Sequence, residues 1–273
     1  MCNNKKRFIK FEKIYSVKVL VCINSVPDTT SKINFTDNKK YDSTNIQFVI
    51  NPNDEFGLTR AIWLKEKQNA TVDVINVGLS QSDKLLKKCL AIGADNAYRV
   101  NIEAINGEMV ANEITNFIKS KNHYDLIIAG RESIDYNGGM VGGFIASKLN
   151  FPFVTNCVGL KIENNIAYLI REIDGGRENI KCNLPIVIGS QKGLVEESDL
   201  KIPNMRGIMQ ASKKEIKVLS SSRYVLNSKI IRFEKPSEKK EIKMISPENL
   251  DELIDILHLS LIHISEPTRH TSI

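Results

Sequence analysis

The stretch YDLIIAGRESIDYNGGMVGG, residues 124–143, decides the fold. It opens on an apolar run, Leu126 to Ala129, too short for a membrane span and free of polar alternation. That is the signature of a strand covered on both faces, as in a parallel sheet. The segment GMVGGFIASKLN (139–150), which begins within the stretch, reads as a helix, so a strand runs through a glycine-rich loop into a helix. Loops at the carboxyl ends of parallel strands are where doubly wound sheets bind ligands, and glycines let backbone N–H groups approach a phosphate. The same glycines, Gly138, Gly139, Gly142 and Gly143, equally serve a tight turn with close helix packing, and the residues alone leave both readings open.

The flanking sequence repeats the strand–helix alternation. VKVLVCI (17–23) is a β-branched strand, and after a polar loop Asn51, Pro52, Asn53 and Asp54 open a helix with Asn as N-cap and Pro in the first position. Leu58, Ala61, Ile62 and Lys65 share a stripe of that helix. TVDVINV (71–77), a helix ended by Gly93, AYRVN (97–101) and the helix 107–120 lead into the decisive strand. This order predicts an α/β fold with a doubly wound, mainly parallel, Rossmann-like sheet that binds an adenine nucleotide. Beyond residue 150 alternating runs separated by Asn164-Asn165 and Gly175-Gly176 predict added antiparallel hairpin strands, and PIVIGSQ one further buried strand. A long polar loop, 194–212, follows, and the Lys- and Glu-rich stretch 213–243 reads as an extended arm. The arm ends in a short amphipathic helix with Ser246 as N-cap, Pro247 in the first position and Leu250, Leu253, Ile254 and Leu257 on one face. The expected organisation is therefore a nucleotide-binding domain over 17–212 and an arm over 213–258.

Both ends look foreign. Residues 259–269 read LSLIHISEPTR, an in-frame translation of a transposase-type sequencing adapter, so 259–273 is set aside as an adapter-derived tail. Residues 1–16 read as a leader from a start codon placed too early, with a transit peptide as the rival reading. The formal charge of +6 is mostly an end effect, because the remainder holds 32 basic and 30 acidic residues. A nucleic-acid partner loses its main support. No run approaches the roughly 18 apolar residues of a spanning helix, so membrane insertion is not expected. Five cysteines without a CxxC pair suggest neither a disulfide framework nor a metal site, and a reducing compartment is the simplest reading.

No catalytic constellation is visible. Outside the tail only His123 and His258 remain, and HExxH, GxSxG, GxGxxG and Walker patterns are missing. Arg131 has the reach for a phosphate, although a loop arginine is as often merely solvated. The residues lead to a nucleotide-binding module with an external arm and no hydrolytic machinery. A stand-alone ATP-binding, homodimeric stress-type module is one candidate, but neither the hairpin segment 170–182 nor the arm has a purpose there.

Several segments together are similar to the β subunits of electron transfer flavoproteins: VKVLVCINSVPDTTSKI (17–33), INPNDEFGLTRAIWLKEK (50–67), LAIGAD (90–95), YDLIIAGRESIDYNGG (124–139) and REIDGGRENIKCNLPIVIGSQKG (171–193). The resemblance implies a heterodimer in which an α subunit holds most of the FAD while the β subunit buries a structural AMP. It implies electrons accepted from acyl-CoA and related flavoprotein dehydrogenases and passed to a quinone oxidoreductase, with no turnover by this chain itself. Carried over by position, AMP contacts would come from Cys22, Asn51, Pro52, Asn53, Asp54 and Val77, and from Gly130, Arg131, Glu132, Ser133, Ile134, Asp135, Tyr136, Asn137, Gly138, Gly139, Met140 and Val141. Within KIPNMRGIM, Met205 would be the side chain inserted into a dehydrogenase, flanked by Pro203 and Ile208, and Glu172 would pair with an arginine of the α subunit. A cytoplasmic location in a bacterium, or the mitochondrial matrix in a eukaryote, is implied as well. This chain departs from many relatives at Thr29 and Asn53, where they carry aromatic residues near the flavin. Bifurcating members of the group place a second FAD where AMP otherwise lies.

Overall fold

The computed structural model describes residues 16–36, 40–121, 123–222, 231–234 and 244–260. Strand β1 (Lys18–Cys22) is followed by two small hairpin pairings, β2 (Ser25–Pro27) with β5 (Phe48–Ile50) and β3 (Asn34–Thr36) with β4 (Lys40–Asp42). Sequence reading had only a polar loop here, since three-residue strands are too short to show a period. Then come α1 (Pro52–Gln68), β6 (Thr71–Val77), α2 (Asp83–Ile92), β7 (Asn96–Val100), α3 (Gly107–Lys121), β8 (Leu126–Gly130) and α4 (Val141–Leu149). The chain continues through β9 (Phe153–Glu163), β10 (Ile166–Ile173), β11 (Gly176–Asn183), β12 (Ile186–Ser190), α5 (Met205–Lys213), β13 (Ile216–Leu219) and α6 (Leu250–Ser260).

Nine strands form one sheet in the order β11-β10-β9-β12-β8-β1-β6-β7-β13. Every pairing from β9 across to β13 is parallel, and only β10 runs against its neighbours. The expected α/β, doubly wound architecture with an antiparallel hairpin is what the chain adopts. From β1 the chain winds outward through β6 and β7, then returns to place β8 on the other side of β1. The strand order thus reverses between β1 and β8, and a crevice opens outside their carboxyl ends.

The two faces bury separate cores. Val19, Val21, Val72, Val74 and Ile128 pack under α1 and α2, with Leu58, Ala61, Ile62, Leu86 and Leu90 completing that layer. Leu20, Cys22, Ile75, Ile127, Ala129 and Val187 face α3 and α4. Each fully buried large aliphatic side chain contributes roughly 1.5–3 kcal/mol, so the alternation of β1 alone ties both helical layers to the sheet. Lys65, the polar member of the α1 stripe, reaches the Asp95 carboxylate at 2.5 Å. Helices α1 and α4 end on Asn69 and Asn150 in the left-handed conformation, which asparagine tolerates better than most residues.

Three expectations need correction. The loop 194–212 contains a helix, α5, whose N-cap Asn204 accepts the Gly207 N–H at 2.7 Å; its short length and single cap hid it in a polar context. The arm does not leave the domain at residue 213, because β13 joins the sheet beside β7 and Asn101 N–H donates to Leu219 O at 2.9 Å. Four residues on a sheet edge carry too little pattern to announce themselves. At the far end Pro247 lies in a turn, and α6 starts three residues later at Leu250 with its apolar stripe exposed. Residues 1–15, 223–230, 235–243 and 261–273, on which the leader, middle-arm and tail readings fall, lie outside the described residues.

Candidate functional site

The two strand–helix junctions singled out by sequence meet at the β1/β8 crevice. Asn51 stands at the N-cap position of α1, yet its side chain makes no cap hydrogen bond. It reaches across the crevice instead: Asn51 Nδ2 donates to Glu132 O at 2.9 Å, and Asn51 Oδ1 accepts the Ile134 N–H at 3.3 Å. Asn53 Nδ2 donates to the same Glu132 carbonyl at 3.0 Å. Asn53 is therefore used to hold the loop after β8. Ser190, which ends β12, closes the other side, its Oγ donating toward Asn53 O at 2.8 Å and its carbonyl accepting the Arg131 N–H at 2.8 Å.

Gly130 is required by this crowding. A Cβ there would fall well inside van der Waals contact of Asp54 Oδ1 and within 2.9 Å of Asn51 Nδ2. Gly57 serves the same purpose a turn further along α1, where a Cβ would meet Ile128 and Ser190. Both serve close helix–strand packing, and of the four glycines left open by the sequence Gly142 does likewise, since a Cβ there would fall 2.8 Å from Phe153 Cε2. Gly138 and Gly139 belong to a different class, lying in the exposed stretch of the loop with Gly139 at φ +60°.

Electrostatics separates the two helix N-termini. The first turn of α1 already holds Asp54 and Glu55, and Asp54 is buried at 3% exposure with its carboxylate on the Asn24 N–H at 2.7 Å. Burial pushes its pKa up to about 7, against the opposing pull of hydrogen bonds from Asn24, Asn51 and Gly130. The N-terminus of α4 carries no acid in its first turn and no side-chain cap. Its positive dipole end, approached by Gly138, Gly139 and Met140, suits an anion better than that of α1. Arg131 lies at the start of the same loop, its guanidinium held by Glu132 and, at 3.5 Å, by Gln191 Oε1.

The other expected residues fall as follows. Cys22 and Val77 end β1 and β6 at this edge, both buried against the α3/α4 layer, and burial raises the Cys22 thiol far above its usual range. Ser133, Ile134, Asp135, Tyr136 and Asn137 form the loop between Glu132 and the glycines, exposed from Asp135 onward. Glu172, near the end of β10, receives Gln191 Nε2 at 2.6 Å. Pro203, Met205 and Ile208 sit apart from the crevice, around α5, with Met205 74% exposed. Sequence reading missed Asn24, Ser190 and Gln191, which lie at or just beyond strand ends and show no motif, and Ile202, which at 83% exposure projects further than Met205. An isolated isoleucine in a polar run was the available signal. A groove of about 660 Å³ lies at the opposite sheet edge, lined by Lys65, Glu66, Asn69, Gly93 and Asp95 and cross-linked by the Lys65–Asp95 pair. Among the described residues no helix is long and apolar enough to cross a membrane, and no His, Cys, Asp or Glu cluster has metal-site geometry.

A family model, the electron transfer flavoprotein domain, matches residues 40–223, more than half of the chain. The chain is 32% identical over 207 residues to the electron transfer flavoprotein subunit beta of Bacillus subtilis (strain 168), covering 74% of this chain and 79% of that protein. It is 30% identical over 249 residues to the mitochondrial electron transfer flavoprotein subunit beta of Arabidopsis thaliana, covering 88% of this chain and 97% of that one. A third relative, subunit CarD of the caffeyl-CoA reductase-Etf complex of Acetobacterium woodii, is 31% identical over 206 residues, covering 74% and 78%. With the doubly wound sheet and the resemblance carried by five separate segments, these matches place the chain in the electron transfer flavoprotein family, among its β subunits.

Proposed function

We propose that this chain binds AMP as a structural ligand at the β1/β8 crevice, forms a heterodimer with an α subunit, and docks flavoprotein dehydrogenases so that electrons pass through the α subunit's FAD to a quinone oxidoreductase. The observation that carries the nucleotide assignment is the convergence of Asn51, Asn53 and Ser190 on the loop that begins at Gly130, with the uncapped N-terminus of α4 at the loop's far end. The residues fit an adenine nucleotide: Arg131 and the α4 N-terminus supply positive charge for a phosphate, and the apolar ends of β1 and β6 border a nucleoside. Bound there, AMP stabilises the fold by mass action.

FAD, held mainly by the α subunit, supplies the redox chemistry. This chain's residues do the positioning. Ile202, Met205, Ile208 and Met209 form an exposed apolar patch around the start of α5, suited to insertion into a dehydrogenase pocket. The patch is firmly mounted, because Gly207 lets α5 lie directly on Ala91 of α2 and Lys87 Nζ caps the carbonyls of Ala211 and Ser212 at 3.0 and 3.3 Å. The stripe Leu250, Leu253, Ile254 and Leu257 on α6 is assigned to the α subunit, as is Glu172.

The test is reduction of FAD in the heterodimer by an acyl-CoA dehydrogenase and its substrate. Rapid bleaching of the flavin is expected, slowed at least tenfold when Ile202 and Met205 are both replaced by Asp, which buries charge at the docking centre. Equal rates for the two proteins would contradict the docking assignment. The CarD match favours one second reading, a bifurcating carrier with FAD in place of AMP.

A further inference from the structure

We infer that Gln191, braced by Glu172, is a positioning residue that aims the Arg131 guanidinium at the phosphate of the bound nucleotide. The inference rests on the AMP reading above and adds residues that reading does not use.

Gln191 follows the last residue of β12, an interior strand, and is buried at 7% exposure, unusual for a glutamine. Its amide is fixed at both ends by charged neighbours. Nε2 donates to Glu172 Oε2 at 2.6 Å, and Oε1 accepts Arg131 Nη1 at 3.5 Å. Only one amide orientation satisfies both, because the reverse would set a carbonyl against a carboxylate and an NH2 against a guanidinium. Glu172 is itself anchored, its backbone carbonyl accepting Asn156 Nδ2 at 3.4 Å. The chain Glu172–Gln191–Arg131 thus spans β10, β12 and the exit of β8, skipping over β9.

The backbone follows the same path. Arg131 N–H donates to Ser190 O at 2.8 Å, so the residue that carries the guanidinium and the residue before Gln191 move together. Arginine has a long side chain, and leaving it unbraced costs rotamer entropy each time it meets an anion. Holding it between Gln191 and Glu132 removes much of that cost in advance. With Nη1 held by Gln191 and Nη2 by Glu132, the guanidinium keeps further N–H donors for a phosphate without leaving either brace.

The experiment uses the α–β complex stripped of nucleotide, with AMP and adenosine as probes in equilibrium binding. Gln191→Leu should weaken AMP about tenfold, the effect of one hydrogen bond to a charged group, and leave adenosine within about twofold. Glu172→Ala should weaken AMP in the same direction by about threefold, and the double variant should be no weaker than Gln191→Leu alone, since both act through Arg131. AMP and adenosine falling together would mean a merely structural role, and unchanged AMP affinity would mean no role; either overturns the inference while leaving the AMP site standing. A wild-type complex that binds neither probe would overturn the AMP reading and this inference with it.

Discussion

The Asp54 carboxylate on the first turn of α1 accepts the backbone N–H of Asn24 at 2.7 Å, joining the exit of β1 to the helix that walls the crevice. Burial raises this carboxyl to about 7 from an ordinary 3.8. Between those values the folded chain holds a proton that the unfolded chain has released, so the contribution is fully present below pH 3.8 and lost as pH rises through about 7. Thermal melts should therefore show a fall in stability from about pH 4 to about pH 7 that is smaller in Asp54→Asn. An identical fall in both proteins would show that Asp54 titrates normally.

Gly130→Ala should destabilise the protein by about 1–3 kcal/mol, because the new methyl group must displace Asp54 and Asn51. Gly176→Ala, in open space on the hairpin, is the control and should change stability by less than about 0.5 kcal/mol. Chemical denaturation decides the matter; equal effects would mean that α1 does not seat on Gly130.

Much of this was legible in the sequence, for reasons particular residues make plain. Leu126–Ala129 could only be a strand buried on both faces, and the Asn51-Pro52 junction announced its helix through Pro in the first position. What Asn51 does with its side chain was not legible, since the preference for Asn at an N-cap says nothing of a carbonyl 81 residues away. Ser190 and Gln191 were invisible for the same reason: their partners are set by strand order, which no local pattern encodes. Helix α5 and strand β13 were missed because nine and four residues in Lys-rich sequence leave little periodicity to read.

Gly207→Ala places a Cβ against the Ala91 carbonyl, a backbone atom that cannot step aside. Helix α5 should shift off α2, with a stability loss of about 1–3 kcal/mol and weaker dehydrogenase docking in the same variant. Native stability with full docking would show that the patch is not mounted through this contact.

Burial raises the thiols of Cys22, Cys89 and Cys157, the last to about 11, whereas Cys182 is only half-buried. Because the thiolate is the reactive form, alkylation of the native protein at about pH 8 should label Cys182 first among these four. Mass spectrometry of timed digests gives the order, and early labelling of Cys22 would mean that the end of β1 is open rather than packed.

The central claim is that the crevice between β1 and β8 holds AMP within a heterodimer. It is tested most directly by co-expressing residues 17–258 with a candidate α subunit, releasing the bound nucleotides and counting them by chromatography. One FAD and one AMP per heterodimer is the predicted result. Two FAD and no AMP would move the chain to the bifurcating group, and a homodimer that released ATP would contradict the account altogether.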